Sequence, residues 1–117
     1  MVLIIGASTN SQRYSYLVTE ILLEKGFEVY LLAKREGDVL AQKIHVEMPK
    51  NDSIDTVTLY VGSKHQAEYY TKLIELNPRR VIFNPGSENE ELQGLLKSKG
   101  IEVEVNCTLV MLSLKHF

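Results

Sequence analysis

The sequence is poor in the residues that mark several classes of protein. Its 117 residues include one cysteine, three prolines and no tryptophan. One cysteine can form neither an internal disulfide nor a cysteine-based zinc cluster, so a reducing, cytoplasmic setting is expected. No apolar run approaches the ~20 residues of a membrane-spanning helix. The amino terminus also lacks the basic and small-residue regions of a signal peptide, and we expect no membrane contact.

Neither sign of charge dominates the chain. Thirteen lysines and arginines stand against fifteen aspartates and glutamates, which gives a net charge of −2 and a pI near 5.9. Proteins that bind nucleic acid carry a basic patch or stripe, so this composition predicts no nucleic-acid partner. The hydrophobic fraction of 44% is ordinary for a globular chain. The length suits one domain that spans residues 1–117.

Strand-like and helix-like segments alternate along the chain. Apolar runs rich in β-branched or aromatic residues predict strands at 2–5, 28–32, 56–61, 80–84 and 102–105. Amphipathic or apolar stretches predict helices at 15–25, 64–76, 88–99 and 108–117. Right-handed crossovers between such strands make a parallel sheet with helices on both faces. We therefore predict an α/β fold, a Rossmann-like three-layer domain with a five-stranded parallel sheet in the order 3-2-1-4-5.

Two of the predicted helices begin with the spacing of a capping box. Ser63 with Gln66, and Ser87 with Glu90, place a serine three residues before an amide or acidic side chain. In a capping box each of these side chains accepts a hydrogen bond from a backbone N–H at the helix start. The stretch 35–53 is the least regular, and one short strand is expected there at 43–46.

Glycine and polar residues follow the first predicted strand. The segment begins with Gly6 and contains Ser8, Arg13 and Ser15 before the first helix. Parallel sheets bind ligands where their strands end, glycine lets a backbone approach a ligand, and helix N–H groups attract phosphate. The full glycine fingerprint of dinucleotide-binding folds is absent. The segment still favours a phosphate site over a plain solvated turn.

Two cations follow the second predicted strand. NAD-binding folds carry an acidic residue at this place, because it binds the ribose hydroxyls. Here the residues are Lys34 and Arg35. They favour a ligand with an additional phosphate near the adenosine ribose, a description that both NADP and coenzyme A (CoA) meet. The structural alternative is a pair of solvated surface charges.

Residues that could catalyse a reaction are scarce. The three histidines, His45, His65 and His116, lack metal-ligand spacing with the cysteine or with paired carboxylates, so no metal site is predicted. Cys107 precedes a predicted helix, a position that can activate a thiol, yet a lone cysteine is more often a buried apolar residue. Its reactivity stays open. We interpret the chain as a binding protein rather than an enzyme, and name no catalytic residue.

The motifs, taken in order, resemble those of the small CoA-binding domain family. Such domains are similar to the CoA-binding domain of the succinyl-CoA synthetase alpha subunit. The matching positions are Gly6-Ala7-Ser8, Arg13, Ser15-Tyr16, residues 22–29, Lys34, Gly86, Asn89-Glu90-Glu91 and Cys107. The resemblance covers nearly the whole chain and is most specific over its first thirty residues.

The resemblance implies a ligand and the residues that would hold it. The pyrophosphate of CoA would lie on the first loop, at Gly6, Ala7, Ser8, Arg13 and Ser15. Lys34 would face the phosphate on the ribose. The adenine and the pantetheine would pass Val61, Gly62 and Gly86. The implied function is a stand-alone CoA or acyl-CoA binding protein that catalyses no reaction of its own, with a small-molecule nucleotide as its partner.

Other interpretations stay open at this point. The two cations after the second strand also suit a small NADP-binding protein that resembles an oxidoreductase. A third interpretation is a regulatory interaction module whose pocket is empty. A homodimer or an unknown protein partner is a further alternative, because the predicted edge strand 102–105 and the apolar tail offer surfaces for association.

Overall fold

The computed structural model describes residues 1–50 and 53–117. In this part of the chain the strands are β1 (Val2–Ile5), β2 (Val29–Leu32), β3 (Gly37–Val39), β4 (Gln42–His45), β5 (Thr56–Leu59), β6 (Arg80–Phe83) and β7 (Glu102–Val105). The helices are α1 (Tyr14–Glu24), α2 (Tyr70–Leu76), α3 (Glu90–Ser98) and α4 (Thr108–Ser113). Two 3₁₀ turns, Ser63–His65 and Ala67–Tyr69, precede α2. None of the helices described is both long and apolar enough to cross a bilayer.

The sheet is mostly parallel, and this confirms the predicted Rossmann-like α/β fold. The strand order is β3-β4-β2-β1-β5-β6-β7, and only the β3–β4 pair is antiparallel. The predicted count of five strands and the order 3-2-1-4-5 are wrong in detail. The third predicted strand lies beside the first, where β5 pairs with β1, and not beyond the second. The place beyond β2 is taken by β4 and its hairpin partner β3.

Helices cover both faces of the sheet. One apolar cluster joins the sheet to α2 and α3 through Leu73, Leu92 and Leu96. The other joins it to α1 and α4 through Val18, Leu22 and Leu112. Because successive strand residues point to opposite faces, every residue of β1, β5 and β6 is buried. Burial on both faces explains why these strands read as nearly continuous apolar runs.

The helix starts differ from the predicted capping boxes. Residues 64–76 do not form one helix, and the side chain of Ser63 caps nothing at the 3₁₀ turn that it begins. Helix α3 begins after Asn89, whose side-chain oxygen accepts a hydrogen bond from Leu92 N at 3.1 Å. Ser87 Oγ instead donates to the carbonyl of Asn84 at 2.7 Å. Asparagine and serine are both good helix caps, so the other hydrogen-bond partners within reach of each side chain decide which of the two caps α3.

Candidate functional site

Six parallel strands end together at one edge of the sheet. Their last residues are paired in register: Ile5, Leu32, His45, Leu59, Phe83 and Val105. The chain crosses from β1 to β2 on one side and reaches β5 on the other, so the order of strands reverses between β1 and β5. A crevice at such a reversal is where open α/β sheets bind ligands.

Two cavities open at this crevice. The first-loop cavity is about 470 Å³ and is lined by Gly6, Ser8, Arg13, Tyr14, Ser15, Tyr60, Pro85, Gly86 and Ser87. The Lys34 cavity is about 350 Å³ and is lined by Gly6, Ala33, Lys34, Tyr60, Val61, Gly62, His65 and Tyr69. Gly6 and Tyr60 belong to both, so the two cavities adjoin and together offer room for one elongated ligand.

The structure brings eight of the nine predicted binding residues to these cavities. Gly6, Ser8, Arg13, Ser15 and Gly86 line the first-loop cavity, and Gly6, Lys34, Val61 and Gly62 line the Lys34 cavity. Ala7 is the exception, because its side chain packs into the core and its N–H donates to Leu32 O at 3.1 Å. Arg35 is exposed and is not among the residues that line either cavity.

Gly6 can be only a glycine at this point of the fold. Its φ is +97°, and a Cβ there would lie 2.9 Å from the carbonyl oxygen of Tyr60. Its N–H donates to Leu32 O at 2.9 Å, which holds the first loop against the end of β2. Side chains rarely adopt this backbone conformation, and the facing group is rigid backbone. The close approach that Gly6 permits in this structure is to the backbone of Tyr60, the residue after β5.

The start of α1 faces the first-loop cavity. Arg13 precedes the helix with extended backbone, and no side chain caps its first N–H groups. Ser15, buried in the first turn, lines the same cavity. The loop before it is held by Ser8 Oγ, which accepts from Asn10 N at 3.0 Å. Free helix N–H groups and a nearby guanidinium together attract an anion.

Gln66 links two loops at this edge, and the sequence prediction missed its role. It is fully buried, and its Nε2 donates to Val61 O and to Ser87 O, both at 2.7 Å. Its Oε1 accepts from Asn89 Nδ2 at 2.9 Å. These bonds fix the segments after β5 and β6, which carry Gly62 and Gly86. The sequence did contain one signal for this role: Gln66 lies at the helical spacing of an apolar stripe that continues in α2.

Asn84 joins the end of β6 to the start of α4. Its Nδ2 donates to Thr58 Oγ1 at 2.7 Å and to Leu59 O at 2.8 Å, while its Oδ1 accepts from Thr108 N at 2.8 Å. The amide is therefore satisfied within the protein and holds the wall of the site in place. Cys107 precedes Thr108 and is partly buried. Over residues 1–50 and 53–117, no His, Cys, Asp and Glu side chains are grouped so as to hold a metal ion.

Tyr60 forms the wall between the two cavities. Its hydroxyl is buried. Burial raises the pKa of Tyr60 to about 12, so the phenol stays neutral at physiological pH. Lys34 stands across the second cavity, where its Nζ lies 3.7 Å from Glu68 Oε2. The crevice thus has a neutral partition with a cation on each side, Arg13 and Lys34.

Comparison with known proteins finds a family that matches this chain. A model of the CoA binding domain matches residues 1–113. The crystal structure of an uncharacterized protein is 45% identical, with a TM-score of 0.96 over 99% of this chain and 96% of that one. A hypothetical protein from Pyrococcus horikoshii OT3 is 25% identical, with a TM-score of 0.87 over 97% of this chain and 81% of that one.

A larger enzyme shares the fold at lower identity. Acetyl-coenzyme A synthetase 1 of Ca. Korarchaeum cryptofilum, solved in complex with phosphate and ADP, is 16% identical with a TM-score of 0.70. The match covers 87% of this chain and 25% of the synthetase chain, so the fold shared here is one part of that enzyme. Comparison with the curated proteins gives no match.

Proposed function

Because this chain belongs to the family of CoA binding domains, we propose that it binds coenzyme A or an acyl-CoA as a stand-alone protein, without catalysing a reaction on it. The observation that carries the proposal is the pair of adjoining cavities at the β1–β5 crossing, each with its own cation. CoA is elongated and carries anionic groups at two separate places. A crevice with Arg13 on one side of Tyr60 and Lys34 on the other suits such a ligand.

The first-loop cavity is proposed to hold the pyrophosphate. Uncapped N–H groups at the start of α1 carry the positive end of the helix dipole. Arg13 forms no ion pair with any residue that the structure describes, so its guanidinium is available to an oxyanion. The hydroxyls of Ser8 and Ser15 line the same space. Charge-assisted hydrogen bonds of this kind are stronger than neutral ones, and they would give most of the affinity.

The Lys34 cavity is proposed to hold the adenosine end. Ala33, Val61 and Tyr69 give it apolar walls against which a base can pack, and Gly62 leaves the opening free of a side chain. Lys34 would meet the phosphate on the ribose. The pantetheine would leave past Gly86, which lines the other cavity. The first-loop cavity is lined by glycine backbone, hydroxyls and a cation; such groups hold an anionic ligand and support binding as the function.

Calorimetric titration tests the proposal against its NADP alternative. We expect CoA and acetyl-CoA to bind, and both to bind more tightly than NADPH. Arg13→Gln should weaken CoA about tenfold, since a hydrogen bond to a charged group contributes about 1.5–3 kcal/mol. Lys97→Gln removes an exposed cation from the last turn of α3, away from the cavities, and should leave the affinity unchanged.

Two results would overturn the proposal. One is tighter binding of NADPH than of CoA, which would favour the oxidoreductase-like alternative. The other is a lack of CoA binding at millimolar concentration, which would favour an interaction module. Native mass spectrometry of the same samples gives the stoichiometry, and shows whether the protein that binds the ligand is a monomer or a homodimer.

A further inference from the structure

Lys34, which lines the Lys34 cavity, forms an ion pair with Glu68, which lies next in sequence to the lining residue Tyr69. Lys34 Nζ is 3.7 Å from Glu68 Oε2, and the two side chains are 64% and 55% exposed. Glu68 belongs to the 3₁₀ turn Ala67–Tyr69, and the next residue, Tyr69, is buried in the core with 7% of its surface exposed. The backbone of Glu68 is therefore anchored, and its carboxylate stays within reach of the lysine.

This carboxylate competes with any anion that approaches Lys34. A phosphate that contacts the lysine must share it with Glu68 or displace the Glu68 side chain. Like charges that share one cation repel each other, and exposed ion pairs are weak enough to be exchanged. A ligand that places no phosphate at Lys34 leaves the pair intact. The ion pair therefore disfavours a ligand with a phosphate on its ribose relative to a ligand without one.

We propose that Glu68 determines specificity at this site: it lowers the preference for a ligand with a phosphate on the ribose, so that the site also accepts adenine nucleotides that lack this phosphate. The inference rests on the proposed function, because it assumes that the adenosine end lies in the Lys34 cavity. The class of ligands is then broader than CoA alone, and it includes dephospho-CoA, which is CoA without the phosphate on the ribose. Glu68 acts on the phosphate and not on the pyrophosphate, which is held on the other side of Tyr60.

Paired titrations with CoA and dephospho-CoA test this assignment. Glu68→Gln keeps the size of the side chain and removes its charge, and we expect it to tighten CoA about threefold while dephospho-CoA changes by less than about 1.5-fold. Lys34→Gln should weaken CoA and leave dephospho-CoA nearly unchanged. Glu75→Gln, which neutralises an exposed carboxylate on α2, is the matched control and should change neither affinity.

The failures of the two proposals are distinguishable. If the unaltered protein binds neither ligand, the proposed function itself is wrong. If it binds both, and Glu68→Gln changes both affinities equally or weakens CoA, the role of Glu68 is wrong and CoA binding stands. An unchanged ratio of the two affinities in Lys34→Gln would also overturn the role of Glu68, because the ribose phosphate would then lie elsewhere. Thermal unfolding of each variant shows that folding is not the cause of any change.

Discussion

The two edges of the sheet both carry charge, but they use it in opposite ways. At the amino edge Arg79 is shared by two carboxylates, with Nε 2.9 Å from Asp55 Oδ1 and Nη1 3.6 Å from Glu102 Oε2. At the carboxyl edge Arg13 has no described ion-pair partner, and Lys34 has one long contact, with Glu68. At the amino edge the charge of Arg79 is neutralised within the protein. The carboxyl edge leaves cations for a ligand.

Even the most buried cation follows this division. Arg80, 7% exposed, begins β6 at the amino edge, and burial lowers the pKa of its guanidinium. Its Nε donates to Thr56 Oγ1 at 3.0 Å, and its guanidinium carbon lies 4.6 Å from the ring centre of Phe117. Phe117 in turn packs edge-on against Phe27, with ring centres 5.5 Å apart. A buried charge held by a hydroxyl and a ring contributes to the fold and is closed to ligands.

The edges also differ in how their loops are held. Buried amides at the carboxyl edge, Gln66 and Asn84, bond to backbone atoms of neighbouring segments. These bonds hold the loops that border the crevice at fixed positions. The comparison predicts that substitutions of the residues that hold the carboxyl edge, Gly6 and Gln66, change both stability and ligand affinity, whereas those at the amino edge change stability alone.

The largest effect is expected for Gly6→Ala at the carboxyl edge. The φ of +97° and the 2.9 Å approach to Tyr60 O combine backbone strain with a clash against rigid backbone, so we expect a loss of about 2–4 kcal/mol in the free energy of unfolding. CoA binding should fall with it. Urea unfolding followed by circular dichroism measures the stability. Gly94→Ala is the control: it lies within α3 with open space around it, and should gain about 0.5–1 kcal/mol. Equal effects of the two alanines would contradict the structural role of Gly6.

Gln66→Leu should have the next largest effect. It leaves Val61 O, Ser87 O and Asn89 Nδ2 without their common partner, and unsatisfied buried groups cost about 1–3 kcal/mol. We expect a loss of about 2–3 kcal/mol in stability and weaker CoA binding, because the loops with Gly62 and Gly86 are released. The exposed Gln12 gives a matched control, since Gln12→Leu should leave the urea midpoint nearly unchanged. A stable Gln66→Leu variant with normal affinity would show that the loops need no such link.

The contrast between the edges also explains what the sequence could and could not predict. Strands β1, β5 and β6 were predictable because burial on both faces leaves a local apolar signature. The hairpin of β3 and β4 was predicted only as one short strand, because Gly37–Val39 and Gln42–His45 are short, half-polar segments, and the first of them lies at the edge of the sheet. The order of strands depends on pairing between distant segments, and local pattern does not contain it.

The site follows the same rule. That Gly6, Arg13 and Lys34 lie at the crevice was predictable because they belong to the segments after β1 and β2, and a parallel sheet brings its strand ends together. Gln66 was interpreted as a helix cap, since its true partners are backbone carbonyls of Val61 and Ser87 that have no sequence signature. Ala7 was included through its place in a motif, yet its side chain packs into the core. Position after a strand predicts proximity to the crevice, but not the direction of a side chain.

At the amino edge, Asp55→Asn should lower stability in a pH-dependent way. Hydrogen bonds from the Arg79 guanidinium lower the pKa of Asp55 from 3.8 to about 2. The ionised carboxylate therefore stabilises the fold above about pH 4, and this contribution is lost as the pH falls towards 2. Since the side chain is half exposed, we expect a cost of about 1 kcal/mol at pH 7 and none near pH 2.

Urea unfolding at several pH values measures this difference, and titration with CoA measures the affinity. Glu28→Gln is the control, since it removes an exposed carboxylate that has no ion pair among the described residues. We expect the affinity of Asp55→Asn for CoA to equal that of the unaltered protein. A change in affinity would contradict the prediction that substitutions at the amino edge change stability alone.

The smallest effect on stability is expected at the turn of the β3–β4 hairpin, where the backbone is strained at a place away from the proposed ligand site. Leu40 and Ala41 both have positive φ, 51° and 66°, between the paired Val39 and Gln42. Two-residue turns of this type favour Asn-Gly, so Ala41→Gly should raise stability by about 0.5–1 kcal/mol. Ala67→Gly, at an exposed position in a 3₁₀ turn, should lower it by a similar amount.

Ala41→Gly also tests whether a change at the amino edge of the sheet affects the carboxyl edge. The turn lies at the amino edge, but the other end of the hairpin is in close contact with the first loop: a Cβ at Gly37 would lie 3.0 Å from Thr9 Cγ2. If Ala41→Gly stabilises the protein and leaves CoA affinity unchanged, the strain in the turn has no part in binding. If the affinity changes, the hairpin transmits that strain through Gly37 to the first loop, and the separation of the two edges is incomplete on this side of the sheet.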